Sequence, residues 1–260
     1  MEPKEILTLK EITKSYGEMR ALSPLSLRIK QGESVALIGP SGAGKTTLLN
    51  IFASVIQADA GEFEISGKPA HRYTSAKQLA RKVGMIRQQF DLVRPLPVIH
   101  NVLAGRLGEW GFFKSLVSFI FPQEKDVAAR ALERVGLADK IYEKTANLSG
   151  GEQQRVALAR LLVQHPEIIL ADEPVSSLDP ARAEDVLAML VNLANEENQT
   201  LVASLHSVEL AKKYFTRLIA LREGTVYFDL PVEEVTDESL SELYDLVEMK
   251  DNDAKAAVFS

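Results

Sequence analysis

Three stretches carry residues whose types and spacing can do chemistry. The first is GPSGAGKT, Gly39 to Thr46, which fits the pattern G-x-x-x-x-G-K-[ST] in full. It follows the apolar run SVALIG and opens KTTLLNIFASV, so a buried strand turns through glycines into a helix, the context this pattern needs. Gly39, Gly42 and Gly44 let backbone close around phosphate oxygens where a side chain would block approach. The N–H groups of Gly42, Gly44, Lys45 and Thr46 are expected to point inward, with Pro40, Ser41 and Ala43 completing the loop. Lys45 is placed to neutralise the β and γ phosphates, Thr46 to offer its hydroxyl to Mg2+, and Thr47 to reach the α phosphate.

The second stretch is IILADE, Ile168 to Glu173. An apolar strand ending in Asp172 sets a carboxylate beside the phosphate loop, where it orients Mg2+ and its waters. Glu173 follows at once. In an extended strand its side chain leaves on the opposite face, but at the strand's end it can turn toward the γ phosphate and take a proton from water. The third stretch is NLSGGEQQRVALAR, residues 147–160. Ser149, Gly150 and Gly151 stand in front of helical spacing. A hydroxyl, free N–H groups and the positive end of a helix dipole make a second anion cradle, one with no lysine. Gln88 and His206 each end a buried strand, and such ends line the ligand crevice of a parallel sheet. Taken singly, either reads more simply as a plain strand-end polar residue.

The elements that must position these groups can be read from periodicity. ILTLKEITKSY and LSPLSLRIKQGE read as short strands punctuated by Gly17 and Gly32. From Val98 to Ala159 apolar positions recur at three and four, so this region is mostly helical. EIILADEP, TLVASLH and LIALREGTVYFD return to strands, with the helix ARAEDVLAMLVNLANE between the first two. Strands alternating with helices imply an α/β core on a parallel sheet. The expected organisation is one domain over 1–235 with an inserted helical subdomain at about 89–160, then a C-terminal helix and loose tail over 236–260. That helix carries Leu240, Leu243, Tyr244 and Val247 on one face.

Composition narrows the function classes. The 260 residues carry a formal net charge of −6, so no global basic field draws in nucleic acid. With no cysteine there is neither disulfide nor thiolate metal site, and a reducing compartment fits. MEPKEILTLK lacks a basic-then-apolar leader pattern. No apolar run reaches the length of a membrane span; GFFKSLVSFIF, Gly111 to Phe121, covers only about half of a bilayer core.

LSGGEQQR lies shortly before IILADE, and with GPSGAGKT this resembles the ATP-binding subunit of ABC transporters over about residues 5 to 230. Further marks of that family stand in order: Tyr16 where an aromatic stacks on adenine, Gln88 of the Q-loop, SSLD (Ser176 to Asp179) of the D-loop, and His206 as the switch histidine. The resemblance implies a P-loop NTPase core with an N-terminal antiparallel β subdomain and an inserted α-helical subdomain, using ATP and Mg2+. It implies that Gly39 to Thr47 hold the triphosphate, that Gln88 and Asp172 serve Mg2+ and the lytic water, and that Glu173 is the general base. It further implies that His206 holds the γ phosphate, that Asp179 contacts the other subunit, and that Ser149, Gly150 and Gly151 close over ATP on a second copy of the chain. Two half-sites then make two whole sites in a head-to-tail dimer. The sequence departs from the family at Glu152, where glutamine is commonest, at Arg87, where an apolar residue is usual, and in SSLD for SALD.

Without a membrane span, such a subunit would work on separate permease subunits at the cytoplasmic face of the inner membrane, supplied by a periplasmic solute-binding protein. QQFDLVRPLPVIHNVLAGRLGEW, TLVASLHSVELAKKYFTRLIAL and GTVYFD are similar to the phosphonate-importer ATPases in particular, which implies phosphonate, phosphite or a phosphate ester as solute. In that subfamily an aromatic and apolar insertion follows AGRLG. Here EWGFFKSLVSFIFPQEKD is either a core element of the helical subdomain or a contact for the permease. Competing readings are an exporter or lipoprotein-release motor, and a soluble ABC ATPase. The latter usually has two ATPase domains or a long insertion, and this chain has one P-loop and neither.

Overall fold

The computed structural model describes residues 4–176 and 178–244; Ser177 of the SSLD motif, Val247 and the expected loose tail lie outside the described residues. β1 (Glu5–Tyr16) and β2 (Met19–Lys30) form an antiparallel hairpin of 12 residues a side, longer than the short strands expected. The reason lies at Glu11, whose φ of 51° puts a bulge into the ladder instead of ending it. β3 (Ser34–Ile38) is buried throughout and leads into α1 (Lys45–Phe52). β4 (Ala60–Ile65) and β5 (Lys68–Pro69) complete a four-stranded antiparallel sheet in the order β2-β1-β4-β5. α2 (Ala76–Ala80) precedes β6 (Val83–Ile86).

Between β6 and the next strand stand α3 (Val98–Leu103), α4 (Phe112–Ile120), α5 (Lys125–Arg134) and α6 (Gly150–Gln164). The sheet then resumes with β7 (Ile168–Asp172), α7 (Pro180–Glu196), β8 (Thr200–Ser204), α8 (Val208–Tyr214), β9 (Arg217–Arg222) and β10 (Thr225–Pro231). Its order is β10-β9-β3-β8-β7-β6, parallel from β9 to β6 with β10 antiparallel on the rim.

Alternate residues of the central strands feed two cores. Ala36 and Ile38 face one with Ile169 and Ala171, against the helices α6 and α7. Val35 and Leu37 face the other with Ile168 and Leu170, against α1 and the antiparallel sheet. Both faces are covered, which is why these strands read as unbroken apolar runs. Residues 237–244 are helical and bury Leu243 in the first core, with Leu240 and Tyr244 partly buried against it.

α4 is laid inside out. Its Ser118 is buried, Lys114 stacks over the Trp110 ring and bonds Glu124, and Ser115 lines a cavity of about 200 Å³ with Leu103 and Trp110. Phe112 and Phe113, on the other side, are 76% and 81% exposed. For those residues, the core-element reading of GFFKSLVSFIF gives way to a surface.

Candidate functional site

The phosphate loop is shaped by what its neighbours leave free. At Gly39, φ is 138° and an added Cβ would stand 2.1 Å from the Leu221 carbonyl oxygen; at Gly44, φ is 102° and a Cβ would meet the Ala21 carbonyl oxygen at 2.7 Å. Only glycine lets the loop press this closely on β9 and β2. Gly44 is also the N-cap of α1. Lys45 next to it is 6% exposed, and its Nζ donates to the carbonyls of Gly39 at 2.7 Å and Pro40 at 2.9 Å. Burial pushes its pKa down, opposed by the charges of Glu173 and Asp172. A charged donor held by two neutral carbonyls is ready to pass to a more negative acceptor.

The end of β7 supplies the carboxylates. Asp172 Oδ1 accepts from Thr46 Oγ1 at 3.2 Å and from Ser204 Oγ at 2.7 Å. Ser204 Oγ in turn accepts from the Glu173 N–H at 2.8 Å. Glu173 sits just past the strand with φ at 48°, in the left-handed region. That turn frees its side chain from strand alternation and sets Oε1 2.6 Å from His206 Nε2. Carboxylate and hydroxyl oxygens suit Mg2+, which takes one or two carboxylates and completes its shell with water and phosphate. Gln88 opens on the same depression as Thr46 and Asp172, together with Asn50.

A cleft of about 330 Å³ gathers Tyr16, Met19 and Arg20 from the hairpin, Ser41 to Thr47 from the phosphate loop, and Glu173 with His206. Tyr16 is 48% exposed there. Tyr16, Ser41 to Thr47, Gln88, Asp172, Glu173 and His206 therefore converge in two adjoining depressions, with Thr46 common to both, while Gly39 and Pro40 line neither. Ser149, Gly150, Gly151 and Asp179 do not line that cleft. Ser149 and Gly151 border another depression with Arg155 and Arg182. Gly150 borders one with Gln88 and Gln153. Ser149 caps α6: its Oγ accepts from the Glu152 N–H at 3.3 Å and donates to Glu152 Oε2 at 2.8 Å, and Glu152 Oε2 also accepts the Ser149 N–H at 2.8 Å. These bonds hold the Glu152 carboxyl below its ordinary value, with Lys140 and Arg155 adding to the effect and burial opposing it. Asp179 caps α7, accepting from the Arg182 N–H at 3.1 Å. Arg87 is half-buried and pairs with Asp91 at 3.7 Å.

Sequence reasoning missed Ser204, although a hydroxyl ending the buried run TLVAS was a visible signal. It also passed over Gln154 and Arg160 inside α6, whose bonds run to Pro174 and to Phe90 and Asp91.

Comparison with known proteins agrees with this geometry. The sequence pattern of the ABC transporter family matches residues 22–176. The chain is similar to the phosphonates import ATP-binding protein PhnC of Pseudomonas putida KT2440, at 46% identity over 231 residues, covering 88% of this chain and 86% of that one. It is likewise similar to PhnC 1 of Pseudomonas syringae pv. tomato DC3000, at 48% identity over 226 residues, 86% of this chain and 85% of the other. Among solved structures, the ADP conformation of MJ1267, an ATP-binding cassette of an ABC transporter, superposes with a TM-score of 0.79 at 25% identity over 92% of this chain and 98% of its own. The dimeric structure of MJ0796, a bacterial ABC transporter cassette, gives 0.74 at 33% identity over 87% and 99%. By fold, by motif order and by these likenesses, the chain belongs to the ABC transporter family, as one of its ATP-hydrolysing cassettes.

Proposed function

We propose that the chain is the motor of a phosphonate importer, working as a head-to-tail pair beneath separate permease subunits at the cytoplasmic face of the cell membrane. A periplasmic solute-binding protein would deliver the cargo. The observation that carries the pairing is the space at Gly150 and Gly151. Apart from the adjoining residues and the helix's own backbone, no atom of the described residues lies within 4 Å of where a Cβ would stand at either. Glycine inside a helix costs roughly 0.5–1 kcal/mol relative to alanine, and the fold itself asks for none here. An approaching body does, and the phosphate loop of a second copy has the matching negative cargo. The solute is supported by the relatives named for phosphonate import.

In the closed pair, Lys45 leaves its two carbonyls for the β and γ phosphates. Thr46, Asp172 and Gln88 would hold Mg2+, which supplies fixed positive charge against the phosphate oxygens. Glu173 takes the proton of the attacking water, and His206 fixes the direction of that carboxylate through their 2.6 Å contact. Ser149 and the N–H groups after it donate to the γ phosphate from the opposite side. Once the phosphate bond is cut, like charges repel across the seam and the pair opens. The exposed face of α4 suits an apolar surface of the permease.

The test is Glu173→Gln. It should give an ATP-dependent dimer in light scattering, with turnover reduced about 100-fold or more; a monomer at saturating ATP and Mg2+ would sink the pairing. With permease and binding protein reconstituted, methylphosphonate should stimulate ATP hydrolysis. No stimulation there, with stimulation by another solute, would sink the cargo assignment.

A further inference from the structure

α6 has more ties to distant loops than its packing requires. Val156, Ala157, Leu158, Ala159, Leu161 and Val163 are all buried and hold it in the core. Its polar residues nonetheless reach backbone carbonyls far away in sequence. Gln154, with no exposed surface, donates through Nε2 to the Pro174 carbonyl, one residue beyond Glu173. Arg160 donates at 2.9 Å to the Phe90 carbonyl and at 2.9 Å to that of Asp91, in the turn that carries the chain away from Gln88. Gln164 donates to the Ala80 carbonyl at 2.8 Å and the Val83 carbonyl at 3.0 Å, at the other end of β6.

The loops that receive these bonds need holding. Phe90 and Asp91 have φ of 58° and 47°, and Glu173 has 48°. Residues other than glycine stay in that region only where the surroundings impose it. A planar guanidinium can take two adjacent carbonyls at once, so Arg160 fixes a direction and not just a charge. Gln154 is the more telling case. Its Oε1 accepts no hydrogen bond although it is buried, so a leucine of similar size would satisfy the core better. What the amide adds is the bond to the loop after Glu173.

The same helix starts at Ser149, Gly150 and Gly151. Gln154 lies about one turn along it and Arg160 nearly three. A rigid helix displaced at its N-terminus carries both ties with it.

We propose that α6 is a connecting rod. In it Gln154 and Arg160 are positioning residues that link the Ser149–Gly151 end to Glu173 and to Gln88, so that docking on the helix's N-terminus sets where both stand. This rests on the reading of Ser149–Gly151 as the seat for a second copy's nucleotide.

The experiment uses the purified full chain and the variants Gln154→Leu, Arg160→Met and Arg160→Lys. ATP-dependent dimerisation is measured in the Glu173→Gln background, and kcat, KM and the Hill coefficient in the otherwise native chain. Amide hydrogen exchange is followed over residues 88–92 and 173–176. Arg160→Met is expected to keep ATP affinity and the dimer, lower kcat about 10- to 100-fold at unchanged KM, and bring the Hill coefficient down toward one. It should speed exchange over 88–92, with Arg160→Lys recovering part of each loss. Gln154→Leu should do the same to kcat while its faster exchange falls over 173–176. A lowered melting temperature with kcat, Hill coefficient and exchange unchanged in both variants would overturn the rod and leave the seat intact. If the Glu173→Gln chain itself stays monomeric with ATP, the seat fails and the rod with it. Should Arg160→Met not fold, Arg160→Lys carries the comparison, because it keeps the charge and loses the two-pronged geometry.

Discussion

Ser204 is the side chain at the site that no motif announces. One hydroxyl sets two neighbours: it donates to Asp172 and accepts from the Glu173 N–H. The contact exists because β7 and β8 pair in a register that puts Asp172 opposite Ser204. Sequence order carries the motifs but not register, so Gly39 to Thr47, Asp172 and His206 were legible, whereas TLVAS showed a hydroxyl at a strand's end but not that it would face Asp172. Ser204→Ala leaves the part-buried Glu173 N–H without its acceptor. Chemical denaturation should show a loss of about 1–3 kcal/mol, and steady-state kinetics a kcat lower by about tenfold with ATP affinity kept. Lys45 is legible as a phosphate ligand, yet its burial is a fact of the fold. Its folded pKa is lowered, chiefly by that burial. Between the lowered value and the ordinary lysine value, the unfolded chain binds more protons, so stability rises with pH across that window. The increment is complete above the unfolded value and is lost as pH falls through the folded one. Denaturation midpoints taken over alkaline pH should show this rise in the native chain and not in Lys45→Met.

At the scale of elements, periodicity told helix from strand well, because covered strands and one-faced helices leave different patterns. It failed on extent and on orientation. Lys10 and Glu11 interrupt the alternation of β1, and a bulge absorbs them without ending the strand. An apolar arc on α4 says that the helix is two-faced, but not which face meets the protein. Here Ser118 is buried and accepts the Gln123 N–H, and Lys114, half exposed, is held over the Trp110 ring against the Glu124 carboxylate. Phe112→Asp and Phe113→Asp should therefore change the melting temperature little, since exposed positions usually shift stability by no more than about 0.5 kcal/mol. Either one should weaken co-purification with the permease while leaving ATP binding by the isolated chain unchanged. Assembly that survives both would refute α4 as the docking face.

For the whole molecule, the alternation of strands and helices was enough to name an α/β core with a helical insertion. The strand order was beyond reach, because β3, β7 and β8 become neighbours through connections of very different length. The most consequential fact at this scale is a separation: the cradle at Ser149 does not line the cleft of its own phosphate loop. Ser149→Arg should accordingly leave ATP binding by the monomer within about twofold, while abolishing the dimer and its turnover. Equilibrium dialysis with labelled ATP and light scattering on the same samples would separate the two effects, and unimpaired hydrolysis would refute the shared site.

The hairpin end of the cleft has a consequence of its own. Lys45, Thr46, Glu173 and His206 gather about the phosphate loop, whereas the hairpin brings Tyr16, Met19, Arg20 and Ala21; in the proposed cycle Tyr16 would offer the base a flat ring. Stacking on a ring is tolerant of base identity, since every base has a π-face. Such a cleft recognises the length and charge of its fuel far more than the letter it bears. Guanosine or cytidine triphosphate should drive the same cycle, and the preference for adenosine would come from its abundance around the protein.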